Sequence, residues 1–285
     1  MGIGMYVVSG TRIKQLHVPC YRTILVGKHE NSAEGDLTDA GGDSIAEKNP
    51  YYCELTALYW LWKNQELEDI VGMCHYRRFF DLQDLDSKWV VEQEEHFGDV
   101  ADDIHVQKIE AILQQCDIVL PTRLAFEHTI EQQYCKNHRH QDWDTMKDVL
   151  KEMYPEYVPA AQKVFQGNSA SFYNMFITRK EIFLDYMKWL FDILFEVEKR
   201  IEIPYEDKVQ RRVFGYLSER LLNVYVEHHH IRIKEQPIIF LANGADVNRR
   251  MAKNWKYKFK RKYPAVAMRL KKIKDVIRGK DTDGT

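Results

Sequence analysis

Runs of apolar residues alternate along this chain with stretches of helical spacing. Met5–Ser9 is an apolar run closed by the polar turn Gly10-Thr11-Arg12, and Ile24–Val26 is a second short run before Gly27; both read as strands. Residues 30–44 are polar and glycine-bearing, a loop. Asn49 then reads as the cap of a helix whose first residue is Pro50, with Leu55, Leu58, Leu61 and Trp62 recurring on one face. Ile70–Cys74 is short and wholly apolar, a buried strand, and it ends abruptly in His75-Tyr76-Arg77-Arg78. Residues 81–107 are acidic and weakly patterned, an irregular insertion. Val106–Gln115 predicts a helix, and Cys116–Pro121 a buried strand stopped by proline. Helices are expected over Trp143–Met153, Pro159–Phe165, Glu181–Ile201 and Glu206–His228. Ser171–Ile177 reads as a strand interrupted by Asn174, and Pro237–Leu241 as a closing strand. Strands and helices in alternation predict an α/β sandwich.

Charge divides the chain. Residues 249–278 hold 13 Lys or Arg and one acid, whereas residues 1–248 hold 27 basic and 40 acidic residues. Two units are therefore expected: a body, 1–248, and a basic, helical tail, 249–285. Trp255, Tyr257, Phe259 and Tyr263 lie among the tail lysines, a composition suited to an anionic membrane surface; a solubilising tail is the plainer reading. The acidic body and the lack of a known module count against nucleic acid. Five cysteines without metal or redox spacing fit a reducing compartment. No apolar run approaches the roughly 18 residues of a membrane span, and Tyr6–Ser9 is too short for a signal-peptide core. There is no G-x-G-x-x-G or P-loop, so neither a dinucleotide nor ATP is expected.

The chemistry concentrates after the buried strand at Ile70. Two arginines beside a His and a Tyr at the end of such a strand are costly unless they meet an anion or open into a cleft, and ligands of open α/β sheets sit beyond strand carboxyl ends. Arg77 and Arg78 are suited to phosphate oxygens. His75 fits a phosphate donor, a metal ligand or a structural hydrogen-bonder, and Tyr76 stacks or packs. Asp43, Lys48, Asn49 and Glu54 lead into the helix, whose N-terminus favours anions; Asn49 reads first as the cap, and Glu54 equally as functional or paired. His138, His140 and Asp142 have a spacing compatible with a metal but no recognisable supporting residues. Glu219-Arg220 reads equally as an ion pair. Asn174 must find a partner if buried, a sugar hydroxyl being one.

The run E-K-N-P-Y-Y-C-E-L-T-A-L-Y-W-L-W-K-N followed by G-M-C-H-Y-R-R-F-F resembles a bacterial capsule and exopolysaccharide glycosyltransferase family long catalogued as a domain of unknown function. The resemblance continues at D-I-V-L-P (117–121), Y-C-K-N-H-R-H-Q-D (134–142), N-M-F-I (174–177), 189–201 and 210–224. It implies a GT-A-type, Rossmann-like nucleotide-sugar fold with a mixed central sheet flanked by helices. It also implies inverting transfer of a hexose, galactofuranose from UDP-galactofuranose being favoured, to a β linkage on a lipid-linked oligosaccharide. The pathway implied is capsular, exopolysaccharide or O-antigen synthesis, and the place the cytoplasmic face of the cell membrane. A non-catalytic nucleotide-sugar or carbohydrate-binding scaffold of a polysaccharide assembly complex is the alternative. By analogy Thr11 and Arg12, after the first strand, face the nucleotide. Glu206-Asp207 with Gln210-Arg211-Arg212 resembles an acid-then-Q-x-R pattern, which makes Asp207 the base, Glu206 its reserve, and Arg211 and Arg212 phosphate contacts; helix-terminal acids are the plain reading. Where the wider superfamily carries a D-x-D metal motif, this chain has His75-Tyr76-Arg77-Arg78, so a divalent cation (Mn or Mg) and metal-free chemistry both stay open. His138 and His140 are expected substrate contacts.

Overall fold

A computed structural model describes residues 2–11, 13, 18–27, 37–82, 91–92 and 103–241, with backbone alone at 91–92 and 103–105. Arg12, the tail 249–285 and most of the expected 81–107 insertion lie outside these residues. The chain opens with strands β1 (Ile3–Ser9), β2 (Tyr21–Leu25) and β3 (Leu37–Thr38), then helices α1 (Asn49–Tyr52) and α2 (Leu55–Asn64). Strands β4 (Ile70–His75), β5 (Arg78–Phe80) and β6 (Val91–Glu92) precede α3 (Asp103–Gln115), β7 (Ile118–Pro121) and β8 (Leu124–Ala125). Helices α4 (Ile130–Asn137), α5 (His140–Met153) and α6 (Val158–Gln166) lead to β9 (Ser169–Ala170) and β10 (Phe176–Arg179). Helices α7 (Lys180–Arg200) and α8 (Val213–His228) and strands β11 (Ile233–Gln236) and β12 (Ile238–Leu241) complete the body.

The main sheet runs β11-β7-β10-β4-β1-β2-β3. It is parallel except at β10, which is antiparallel to both β4 and β7. Because β10 runs backwards, its first residues meet the carboxyl end of β4. The central strands are buried on both faces, and their side chains alternate between two cores as the strand period requires. Tyr6, Val8, Val71 and Met73 face α2, α5, α7 and α8, whereas Met5, Val7, Ile70 and Cys74 face α3 and β12. Gly72 is dictated by this layer: a Cβ there would overlap Met5 Sδ on β1. The fold is thus α/β with a mixed central sheet flanked by helices. No helix of the described residues is long and apolar enough to cross a membrane.

Three expected elements differ. The helix expected to run on from Pro50 breaks at Cys53, whose φ of 56° lies in the left-handed region. Asn49 is not its cap: Nδ2 donates to the Cys53 carbonyl (2.9 Å) and to Thr56 Oγ1 (3.3 Å), tying the two halves across the break. Ser171–Ile177 is not one strand either. The backbone reverses at Tyr173 and Asn174 (φ 80° and 51°), and β10 begins only at Phe176. Finally, Glu206–Val209 are non-helical; a single 3-10 turn, Gln210–Arg212, leads into α8.

The break before α2 is held from below by Tyr52. Its ring stacks on Phe214 of α8 (4.3 Å between centroids), and its hydroxyl donates to Glu198 of α7 (3.0 Å). Replacing Tyr52 with Ala is expected to lower stability by about 3–5 kcal/mol, as for other large aromatic truncations. Tyr52→Phe loses one hydrogen bond, about 1 kcal/mol. Urea unfolding of the two variants checks the order.

Candidate active site

At the carboxyl end of β4 the chain turns back through Tyr76 and Arg77, and Arg78 opens β5 opposite His75. Three other segments reach the same place: the α1–α2 break with Cys53 and Glu54, the reversal at Tyr173-Asn174, and the first turns of α8. The reversal joins them. Glu219 of α8 accepts the Tyr173 N–H (2.8 Å), and His75 Nε2 donates to the Tyr173 carbonyl (2.5 Å). A carbonyl only accepts, so Nε2 carries the proton and Nδ1 of the neutral ring is the acceptor. The buried Asn174 side chain donates to Glu54 Oε1 (2.7 Å) and the Gly215 carbonyl (3.2 Å), and accepts from Ser218 Oγ (3.0 Å). Two successive non-glycine residues at positive φ store strain of about 1–3 kcal/mol each, so these bonds are what hold them.

Charge is distributed unevenly around this reversal. The Arg78 guanidinium lies over the Tyr173 ring at 4.9 Å, and its buried Nε has no hydrogen-bond partner among the described residues. Arg212 Nε donates to Cys53 Sγ (3.2 Å). Burial pushes the Cys53 thiol up to about 11, with the Glu54 charge adding to the rise against Arg212, so the sulfur is a thiol. Burial also lowers His75, against the pull of Glu54, which keeps the ring neutral at neutral pH. Glu219 is pushed up by burial against the attraction of Arg220, whose Nη1 it accepts at 2.8 Å; the Glu54 charge adds to the rise. Glu54 is half-buried, with Oε1 taken by Asn174 and Oε2 not engaged by any described residue.

The described arginines fall into two groups, apart from Arg179, whose Nη2 donates to the Leu113 carbonyl (2.6 Å). Arg22, Arg123, Arg139, Arg200, Arg220 and Arg232 each pair with a carboxylate. Arg77, Arg78, Arg211 and Arg212, the two adjacent pairs singled out by sequence, pair with none among the described residues. Arg77 is exposed and lies over the Tyr76 ring (5.0 Å), while Arg211 buries an Nε that lacks a partner among the described residues.

Of the expected site residues, Glu54, His75, Arg78, Asn174 and Arg212 converge. His138 borders them: its ring stacks on Tyr216 of α8 (4.0 Å) and its Nδ1 is 3.4 Å from Gln210 Oε1. Burial, then the nearby Arg220 charge, push it down to about 4 against the Gln210 bond, so it too is neutral. Others are committed elsewhere. His140 is exposed and bonds Asp144 (2.8 Å), so the two histidines do not meet. Lys48 bonds both oxygens of Glu198 (2.9 and 2.8 Å), and Asp43 accepts from Tyr59 (2.8 Å) beside the far end of α2. Asn49 packs its Oδ1 against Gly27, at φ +80° just beyond β2. Thr11 is exposed after β1, its N–H donating to Ser9 Oγ (3.2 Å). Glu206 and Asp207 are exposed on the turn before α8. Asp207 Oδ1 accepts the N–H groups of Val209 (2.8 Å) and Gln210 (3.0 Å), bonds that hold its carboxyl below the usual range. Cys53, Tyr173 and Ser218 were not singled out by sequence; only their places in motif-bearing runs pointed toward them.

A family model described as a domain of unknown function, DUF4422, matches residues 4–230. The chain belongs to this family. All the converging residues of the DUF4422 chain lie within the matched span. The chain is similar, at 30% identity and a TM-score of 0.76, to a solved structure described as the apo form of the WbbM bifunctional glycosyltransferase. The match covers 85% of this chain but 46% of that one, so the chain spans less than half of that protein's length. Comparison with curated protein sequences gives no match.

The reversal supplies a test of this geometry. Asn174→Ala removes three hydrogen bonds and keeps the strained backbone, while Asn174→Gly removes the same bonds but relieves the strain. Glycine is therefore expected to be the more stable of the two by about 1 kcal/mol, and both less stable than the natural protein, as thermal unfolding would report.

Proposed function

We propose that this chain transfers a glycosyl group from a nucleoside diphosphate sugar to an acceptor hydroxyl. The observation that carries the reading is the set of arginines without carboxylate partners, centred on Arg78 and Arg212, gathered with Glu54 and neutral His75 at the carboxyl end of a central strand. The likeness to a glycosyltransferase structure supports it. UDP-galactofuranose is the donor the sequence resemblance favours, with inversion to a β linkage, and a lipid-linked oligosaccharide is the acceptor. The basic segment 249–285 would hold the protein at the cytoplasmic membrane face, in capsule, exopolysaccharide or O-antigen synthesis.

In this mechanism an acceptor oxygen attacks C1, its proton passes to a carboxylate, and the C1–O bond to the diphosphate breaks with the electron pair leaving on UDP. Arg78 and Arg212 stabilise that departing charge, as permanently charged bidentate donors do well. We assign the base to Glu54 in place of Asp207. The two backbone N–H groups on Asp207 Oδ1 favour its ionised form and weaken it as a base. Glu54 instead keeps one oxygen fixed by Asn174 and one open. Neutral His75 fixes the Tyr173 carbonyl and through it the platform under Arg78.

The test is UDP release from UDP-galactofuranose, UDP-galactopyranose and UDP-glucose, in manganese and then in EDTA. Release from the furanose donor that persists in EDTA is expected. Glu54→Gln should lower the rate by about 10²-fold or more while UDP still binds, and Asp207→Asn by less than about tenfold. The reverse order would return the base to Asp207. Binding of UDP-sugars without any turnover would mark a scaffold, and neither binding nor release would remove the proposal.

A further inference from the structure

Large apolar side chains exposed among the described residues are Met153 at 40%, Tyr205 at 58% and Val209 at 54%. Two of these stand on one segment, 201–212, the same segment that brings Arg212 to Cys53. Their exposure is not slack in the backbone. Arg139 Nη1 donates to the Glu202 carbonyl (2.5 Å), the Tyr205 N–H to the Ile203 carbonyl (2.9 Å), and Gln210 Nε2 to the Asn137 carbonyl (2.9 Å). Asp207 Oδ1 closes the turn between them. A segment fastened this firmly still directs a tyrosine and a valine outward.

Tyr205 touches Tyr51 of α1 at 5.8 Å with the rings perpendicular, a contact that uses at most one of its faces. Tyr51 is half-buried on the short helix that ends at Cys53, which Arg212 of the same segment contacts, so the segment 201–212 borders the proposed site. Around the tyrosine stand the exposed carboxylates Glu202 and Glu206. Residues 202–208 hold three acids against one lysine, and with Arg211 and Arg212 the segment 201–212 holds three of each sign. A flat apolar ring beside free carboxylates matches a neutral sugar, whose C–H face packs on the ring while its hydroxyls donate to the acids.

We infer that Tyr205 and Val209, with Glu206 at their edge, form the acceptor subsite, the surface on which the sugar residue of the acceptor glycan rests. This rests on the glycosyl-transfer reading: donor diphosphate on the Arg78 side of Arg212, acceptor sugar on the Tyr205 side. The segment 201–212 then serves both substrates, its arginine facing the leaving group and its tyrosine the incoming glycan.

The test uses full-length protein, its Tyr205→Ala and Tyr205→Phe variants, and methyl β-galactopyranoside, methyl β-galactofuranoside and methyl α-rhamnopyranoside as probes. Saturation-transfer NMR is expected to show contact between at least one glycoside and the natural protein, lost in Tyr205→Ala and kept in Tyr205→Phe. In the UDP-release assay, the half-saturating glycoside concentration should rise by about tenfold in Tyr205→Ala, while UDP affinity by calorimetry stays within about twofold. Unchanged glycoside contact in Tyr205→Ala, or no contact with the natural protein, would overturn the subsite. Tyrosine-dependent glycoside contact in a protein that releases no UDP from any donor would instead overturn the transfer reading and keep a sugar-binding surface. Sedimentation with phosphatidylglycerol vesicles is expected to be equal for natural protein and Tyr205→Ala; loss there alone would make the strip a membrane contact and overturn the assignment.

Discussion

The geometry of the site depends on two adjacent residues held with the wrong hand of backbone. Tyr173 and Asn174 both lie at positive φ, and neither is glycine. Such a reversal persists only where its surroundings determine it more strongly than the local preference opposes it. Here the surroundings are three separate parts of the chain: His75 at the end of β4, Glu54 at the start of α2, and Gly215, Ser218 and Glu219 on α8. The reversal therefore registers strand, helix and helix against one another. It also turns the Tyr173 ring beneath Arg78 and delivers Asn174 to the open-sided carboxylate of Glu54.

That arrangement needs β10 to run against β4. In an all-parallel sheet a strand's start would lie at the opposite edge from the carboxyl end of β4. The antiparallel β10 brings the reversal to the edge where Glu54, His75 and Arg78 stand. The charge pattern follows from the same packing. Elsewhere among the described residues the folded chain matches arginine with carboxylate, as Arg220 with Glu219 and Arg232 with Asp117, or with a backbone carbonyl, as Arg179 with Leu113. At this edge it surrounds the guanidinium groups with aromatic rings and a thiol instead, which leaves their charge available to an anion.

Much of this was legible in the sequence where a single period decided the outcome. The apolar run from Ile70 to Cys74 with its terminal arginines, the long α7 stripe and the buried strand before Pro121 are local patterns, and the α/β class follows from their alternation. What local pattern could not reveal was tertiary. Tyr173 carries no mark of positive φ, and Asn174 only a weak one, so Ser171–Ile177 reads as a strand with one polar residue in it and not as a reversal. Asn49-Pro50 has every sign of a helix start, yet Cys53 breaks the helix because Tyr52 is drawn onto Phe214 and Glu198. Lys48 and Asp43 looked available until distant partners, Glu198 and Tyr59, engaged them. The acid preceding Gln210 carried a family-like signature, but its oxygen is occupied by the turn it closes.

The central claim is that this edge binds a diphosphate through arginines that have no carboxylate partner among the described residues. Calorimetric titration of UDP into the natural protein and into Arg78→Gln, with folding checked by circular dichroism, tests it most directly. The account predicts measurable UDP binding that weakens by about tenfold or more on loss of the guanidinium, about 1.4 kcal/mol. Equal affinity in the two proteins would contradict it.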